Sequence, residues 1–139
     1  MSNAVDGLFG SRVERSTGTV GLAVGDLLVL ASFLTLGSIN HGVDPVAMPG
    51  RVAGTIAPFL AGWVVGALAI GAYAPGTTRR VRTAVVRAVG AWIVAAPIGL
   101  AIRSTAYFHG SAPWTFALVV TTVGAVSFAV WRAAAVGLR

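Results

Sequence analysis

One carboxylate stands alone in apolar sequence. Asp26 is the single acidic residue inside a long apolar run of this 139-residue chain. An ionisable group so placed is costly unless it faces a partner or a water-filled cavity. Two chemistries fit it. In the first, Asp26 carries protons or cations along a conduction path. In the second it closes an interhelical salt bridge, with Arg87 the expected partner because both lie near the same predicted membrane boundary. A second polar set, His41, Asp44, Arg51, Arg103 and His109, gathers at the opposite boundary. Histidine is the side chain that changes charge near neutral pH. Arg103 has three open roles there: snorkelling to headgroups, pairing with Asp44, or binding an anion beside Arg51. The two histidines have only Asp44 as a nearby carboxylate, short of a zinc donor set, so no metal and no cofactor is expected. Ser32, Ser38 and His41 lack the spacing of a nucleophile and its base, and membrane serines usually bond to their own helix.

The elements that must position these groups are four apolar stretches, roughly Thr19–Ile39, Val52–Ala74, Ala84–Arg103 and Pro113–Ala135. Crossing a hydrocarbon core about 30 Å thick takes about 20 apolar residues of helix, and each stretch meets that length. The expected fold is all-α: an integral membrane four-helix bundle running up-down-up-down, because short turns force neighbouring helices to be antiparallel. Residues 1–18 form a polar tail expected to be flexible, and 19–139 a single transmembrane domain. The first stretch exceeds the 7–15 residues typical of a signal-peptide core. On the first helix Asp26, Leu30, Phe33, Gly37 and Asn40 share a stripe that faces the bundle interior.

Charge sets the expected orientation. Charged residues are only 10% of the chain, against roughly 25% in a soluble domain, so no water-facing surface is available. All the basic residues are arginines. Arg12, Arg15, Arg79, Arg80, Arg82, Arg87, Arg132 and Arg139 fall on one side of the four crossings, and Arg51 and Arg103 on the other. The positive-inside rule then places both termini in the cytoplasm of a multi-pass cell-membrane protein. The net charge of +6 is spread over helix ends instead of forming a basic face, which argues against nucleic acid. With no cysteine, disulfides and thiolate chemistry are excluded.

Small residues supply the packing surfaces. Helix two carries Thr55, Pro58, Gly62, Gly66 and Ala69 along one face, and helix three Ala91, Ala95 and Gly99 at matching intervals. Such seams let backbones approach where lipid supplies no hydrophobic drive. Whether helix two packs within the bundle or on a second copy is open at this level. Pro58 and Pro97 sit at matched depth toward the outer side, where each kinks its helix or frees a carbonyl, an arrangement suited to an outer vestibule. Trp63 and Trp92 lie deep and are expected to pack. Tyr73, Trp114 and Trp131 mark membrane boundaries.

Several short motifs run in order along the chain: Asp26; Leu36-Gly37 and His41; Thr55-Ile56-Ala57-Pro58-Phe59-Leu60-Ala61-Gly62; Gly99-Leu100-Ala101-Ile102-Arg103; and Gly110-Ser111-Ala112-Pro113-Trp114-Thr115-Phe116. Over roughly residues 20–135 the sequence resembles the prokaryotic membrane family known as domain of unknown function three-zero-five-four. The resemblance implies four transmembrane helices and carries no activity with it. The leading functional expectation is a small transporter or channel component for protons, ions or a small polar solute. Four helices leave little room for an internal pathway, so a homo-oligomer suits that role. The alternative is a non-catalytic membrane scaffold or accessory subunit that packs against partner helices. An enzyme is not expected. The lipid bilayer is the one partner that composition identifies; the ligand is unspecified.

Overall fold

Ser16 starts the first helix among the described residues. Its Oγ accepts a hydrogen bond from the Thr19 backbone N–H at 3.1 Å, the side-chain capping that a helix start requires, and α1 follows as Thr17–Asn40. The structure, a computed structural model, describes residues 13–104 and 114–138. Pro49 opens α2 (Pro49–Ile70) at the position where its missing N–H needs no partner. The helix stops at Gly71, whose φ of 86° is left-handed and whose N–H bonds to the Ala67 carbonyl at 2.9 Å. Glycine adopts that conformation without a Cβ penalty. The apolar run to Ala74 therefore outlasts its helix, and Ala72 and Tyr73 lie in the connection to α3 (Val81–Arg103). The last element is α4 (Trp114–Gly137).

All four helices are 22–24 residues and apolar enough to cross a membrane. No strand occurs among the described residues; the only extended pairing is an isolated parallel bridge between Val13 and Tyr73, where the Glu14 N–H donates to the Tyr73 carbonyl at 2.7 Å. That contact holds the described end of the expected flexible tail. Most of the apolar surface faces outward. Val20, Leu28, Leu36, Val86, Leu118 and Val130 are all well exposed, a surface that water does not tolerate at this extent and that lipid selects.

α1 packs on α2 and α4, α2 on α3, and α3 on α4, so α1 and α3 are diagonal. Aromatic rings fill the centre. Trp63 stacks on Phe128 with centroids 4.4 Å apart, and Phe33 meets Trp92 edge-on at 5.4 Å. The buried Trp92 indole donates to the Val120 and Thr121 carbonyls. Small residues admit these rings: Gly124 lies against Trp92, and Gly99 against Phe59. The α2–α3 interface is the glycine seam. A Cβ at Gly62 would meet the Ala95 carbonyl oxygen, and one at Gly66 that of Ala91. The seam is thus consumed within the chain. Both helices continue through their prolines, Pro58 buried and Pro97 exposed.

Gly62→Val and Gly66→Val are each expected to destabilise the fold by about 1–3 kcal/mol, the usual cost of overpacking. Gly21→Ala, with nothing within 4 Å of the added methyl, is expected to cost nothing and to raise stability by about 0.5–1 kcal/mol, since glycine is the poorer helix former. Thermal unfolding in detergent reads both.

Candidate functional site

The polar residues of the bundle gather in two places, a buried cluster at the end that carries the α2–α3 connection and an open cleft at the opposite end. In the cluster, Asp26 of α1 meets Arg132 of α4. The Arg132 Nε donates to Oδ1 at 3.0 Å and Nη2 to Oδ2 at 2.6 Å, a two-pronged pair with both side chains fully buried. The Trp131 indole donates to Oδ1 at 3.0 Å and the Tyr73 hydroxyl to Oδ2 at 2.8 Å, while the Trp63 indole donates to that hydroxyl at 2.9 Å. The remaining arginine nitrogen, Nη1, donates to the carbonyls of Ala72 at 3.1 Å and Ala84 at 3.4 Å. Every helix and the α2–α3 connection contribute. Among the described residues no buried side-chain nitrogen or oxygen lacks a partner.

The expected partner Arg87 is not in this cluster. Its Nη1 donates to Thr77 Oγ1 at 2.7 Å and to the Pro75 and Ala74 carbonyls at 3.2 and 3.5 Å, tying down the α2–α3 connection. The reason is lateral placement: Arg87 sits on α3, diagonal to α1, whereas α4 is the neighbour that presents Arg132 directly to Asp26. The sequence carried a signal for Arg132, since it too is an ionisable residue inside an apolar run. Tyr73 and Trp131, expected as boundary markers, have the added role of donors to the carboxylate. Their side chains reach inward because Gly71 ends α2 early and because Gly25 leaves room for the Trp131 ring.

Around Tyr73, outside the spanning helices, burial pushes the phenol well above its ordinary pKa and the adjacent Asp26 carboxylate pushes it further. The hydroxyl therefore remains a donor. Chemically the cluster is closed: the carboxylate already accepts from four donors, and none of its members lines the open cleft.

That cleft lies where α1, α2 and α4 part, with a volume of about 1280 Å³. Phe33, Leu36, Phe116, Val119 and Val123 form apolar walls, and Asn40, His41, Arg51, Arg103 and Thr115 lie along the rim end. The Arg103 guanidinium lies 4.6 Å from the Phe116 ring centroid. The Ser38 hydroxyl donates to the Leu34 carbonyl at 3.0 Å, and that of Thr55 to the Arg51 carbonyl at 3.1 Å, so both are engaged by their own helices as the sequence implied. Asp44 accepts from the Val46 and Ala47 N–H groups at 2.9 and 3.3 Å; it caps its own turn and is not part of the cleft wall. Of the outer-face set the structure thus brings together His41, Arg51 and Arg103. His109 lies outside the described residues. Among the described lining residues there is neither Pro58 nor Pro97, and Arg103 is the one that α3 contributes.

In comparison with known families, residues 23–135 fit the family described as "Protein of unknown function (DUF3054)", in agreement with the resemblance read from the motifs. No curated protein and no solved structure matches the chain.

Asp26→Asn strips Arg132 of its counter-charge and is expected to cost about 3–5 kcal/mol, as breaking a buried pair does. Size-exclusion of the detergent-solubilised protein should show the loss of folded species. Adding Arg132→Gln should recover much of it and adding Arg87→Gln none; the reverse pattern would return Arg87 to the role of partner. The pH dependence has a definite sign. Stability that Tyr73 contributes through its raised pKa is in place below the ordinary phenol value of about 10 and is lost as pH rises beyond it toward the folded value. Ultraviolet titration of the two tyrosines should leave Tyr73 un-ionised until the protein unfolds.

Proposed function

The chain belongs to the DUF3054 family, and we propose that it is a multi-pass cell-membrane protein that takes a ligand into the cleft between α1, α2 and α4, as the binding component of a small transport system. Its helices run up-down-up-down with both termini cytoplasmic. Two features support that topology. Gly62 faces Ala95 while Gly66 faces Ala91, the register of an antiparallel pair, and Arg79 and Arg80 at the end of the α2–α3 connection are followed by Arg82 in the first turn of α3, the side that the positive-inside rule makes cytoplasmic. The cleft then opens outward.

The cleft is the observation that carries the proposal. A ligand site is concave, mostly apolar and furnished with a few polar groups, and this one lies at the outer end of a bundle whose opposite end is held together by the buried charge pair. Aromatic rings close the centre, and the Asp26–Arg132 pair ties α1 to α4 below them. In this reading Asp26 is the structural closure and does not conduct. No catalytic step is assigned, because the Ser38 and Thr55 hydroxyls are held by backbone carbonyls. The scaffold alternative loses its principal surface, since the glycine seam of α2 is occupied by α3.

The natural chain has no cysteine, so single cysteines report access directly. Thr55→Cys lies in the cleft and Ala57→Cys is exposed elsewhere on α2. In phosphatidylcholine vesicles, a membrane-impermeant thiol reagent added outside is expected to modify the cysteine at 55 and spare that at 57, because only a hydrated thiol forms the reactive thiolate. A cysteine at Thr78, in the α2–α3 connection, should react only from the inside. An unreactive cysteine at 55 would sink the proposal.

A further inference from the structure

The chemistry of the cleft narrows its occupant. Both charged residues that line it, Arg51 and Arg103, are cationic, and no acidic residue is among the described lining. The nearest expected carboxylate, Asp44, is held by its own turn. Guanidinium groups match phosphate oxygens with paired hydrogen bonds, so a cation is disfavoured at this rim and a phosphate is favoured. Farther in, the character changes. The walls are apolar, and the Ser38 and Thr55 hydroxyls already donate to backbone carbonyls. A wholly polar solute sliding inward would give up water for little in return.

Length and side access point the same way. On α4 the lining runs from Thr115 to Ser127, roughly 18 Å at 1.5 Å per residue. The residues at the lips, Leu36 of α1 and Val119 and Val123 of α4, are 61%, 58% and 44% exposed. The cleft is therefore open sideways, through an apolar lip, as well as at its end.

We infer that the cleft binds an anionic phospholipid or alkyl phosphate of the outer leaflet, with the phosphate at Arg51 and Arg103 and one hydrocarbon chain lying along α1 and α4. The inference rests on the cleft being the ligand site and adds the class of ligand. The rim supplies charge complementarity and the wall supplies a hydrocarbon surface, and only an amphiphile uses both. Entry is lateral, so the ligand never has to leave the membrane. Phe116 has two tasks, since its face receives the Arg103 guanidinium at 4.6 Å while it forms part of the apolar wall.

The test uses the full chain carrying Thr55→Cys in phosphatidylcholine nanodiscs, with thiol modification rate as the readout. Dodecyl phosphate, dodecylphosphocholine and inorganic phosphate are added separately, and the reactive Thr78→Cys protein, whose cysteine lies in the α2–α3 connection, reports any general disturbance. The expected result is protection of the cysteine at 55 by dodecyl phosphate and little by the other two. Half-protection should need roughly tenfold more dodecyl phosphate in Arg51→Gln, the equivalent of losing one charge-assisted contact, and Arg51→Lys should recover part of it. Arg51 is exposed, so its substitution leaves the core intact. Equal protection by inorganic phosphate overturns the amphiphile and leaves a simple anion site in the same cleft. Equal protection by dodecylphosphocholine overturns the anion preference. A reactive thiol that none of the three protects overturns the inference and leaves the open cleft standing. A thiol that never reacts overturns the proposed function with it.

Discussion

The buried pair between Asp26 and Arg132 is the constraint around which the bundle is arranged. Neither charge can face hydrocarbon alone, because each would lose its hydration for nothing. The pair alone does not complete the requirement, since a carboxylate and a guanidinium together carry more acceptors and donors than they satisfy mutually. The rest come from Tyr73, Trp131 and the carbonyls of Ala72 and Ala84. These groups lie on α3, α4 and the α2–α3 connection, so satisfying one carboxylate on α1 fixes three other parts of the chain. Trp63 on α2 completes the circle through the Tyr73 hydroxyl.

That closure is local to one end, and the asymmetry of the molecule follows from it. Near the charge pair the four elements converge on shared atoms. Above it the aromatic cluster of Trp63, Trp92, Phe33 and Phe128 fills the centre by ring stacking and edge contacts, which are dense but need small partners to fit. Glycines provide them at 99 and 124. At the depth of the rings α2 is held on α3 by its glycine seam, whereas beyond them α1, α2 and α4 part enough to leave the cleft. A charge-locked end and an open end in one small bundle are the structural basis for the functional proposal, and both trace to where the polar and small residues were placed.

Much of this was legible from residue type and spacing. Four apolar runs of crossing length predicted four helices, and four were found among the described residues. The Gly62 and Gly66 seam, the deep positions of Trp63 and Trp92, and the self-bonded Ser38 hydroxyl follow from local rules that act within one helix or along one face. Helix ends were less legible: hydropathy carried the second helix on to Ala74, but Gly71 ended it, because backbone conformation overrides an apolar composition that continues past it. Asp26 was visible as a charge needing a partner. Its partner was not, since Arg87 and Arg132 both lie near the same boundary and depth alone does not separate them.

The sequence by itself determined the solvent, the number and length of the helices, the faces rich in small residues and the need to neutralise Asp26. Each of these depends on composition and periodicity along one segment. Tertiary structure alone decided which arginine answers Asp26, that Tyr73 and Trp131 turn inward to join it, and that His41, Arg51 and Arg103 share one cleft while Asp44 stays in its own turn. Those outcomes depend on which helix lies beside which and on the rotation of each about its axis. A linear pattern encodes the depth of a residue in the membrane but not its lateral neighbour, and in a bundle this small the lateral neighbour decides whether a charge becomes a lock or a binding group.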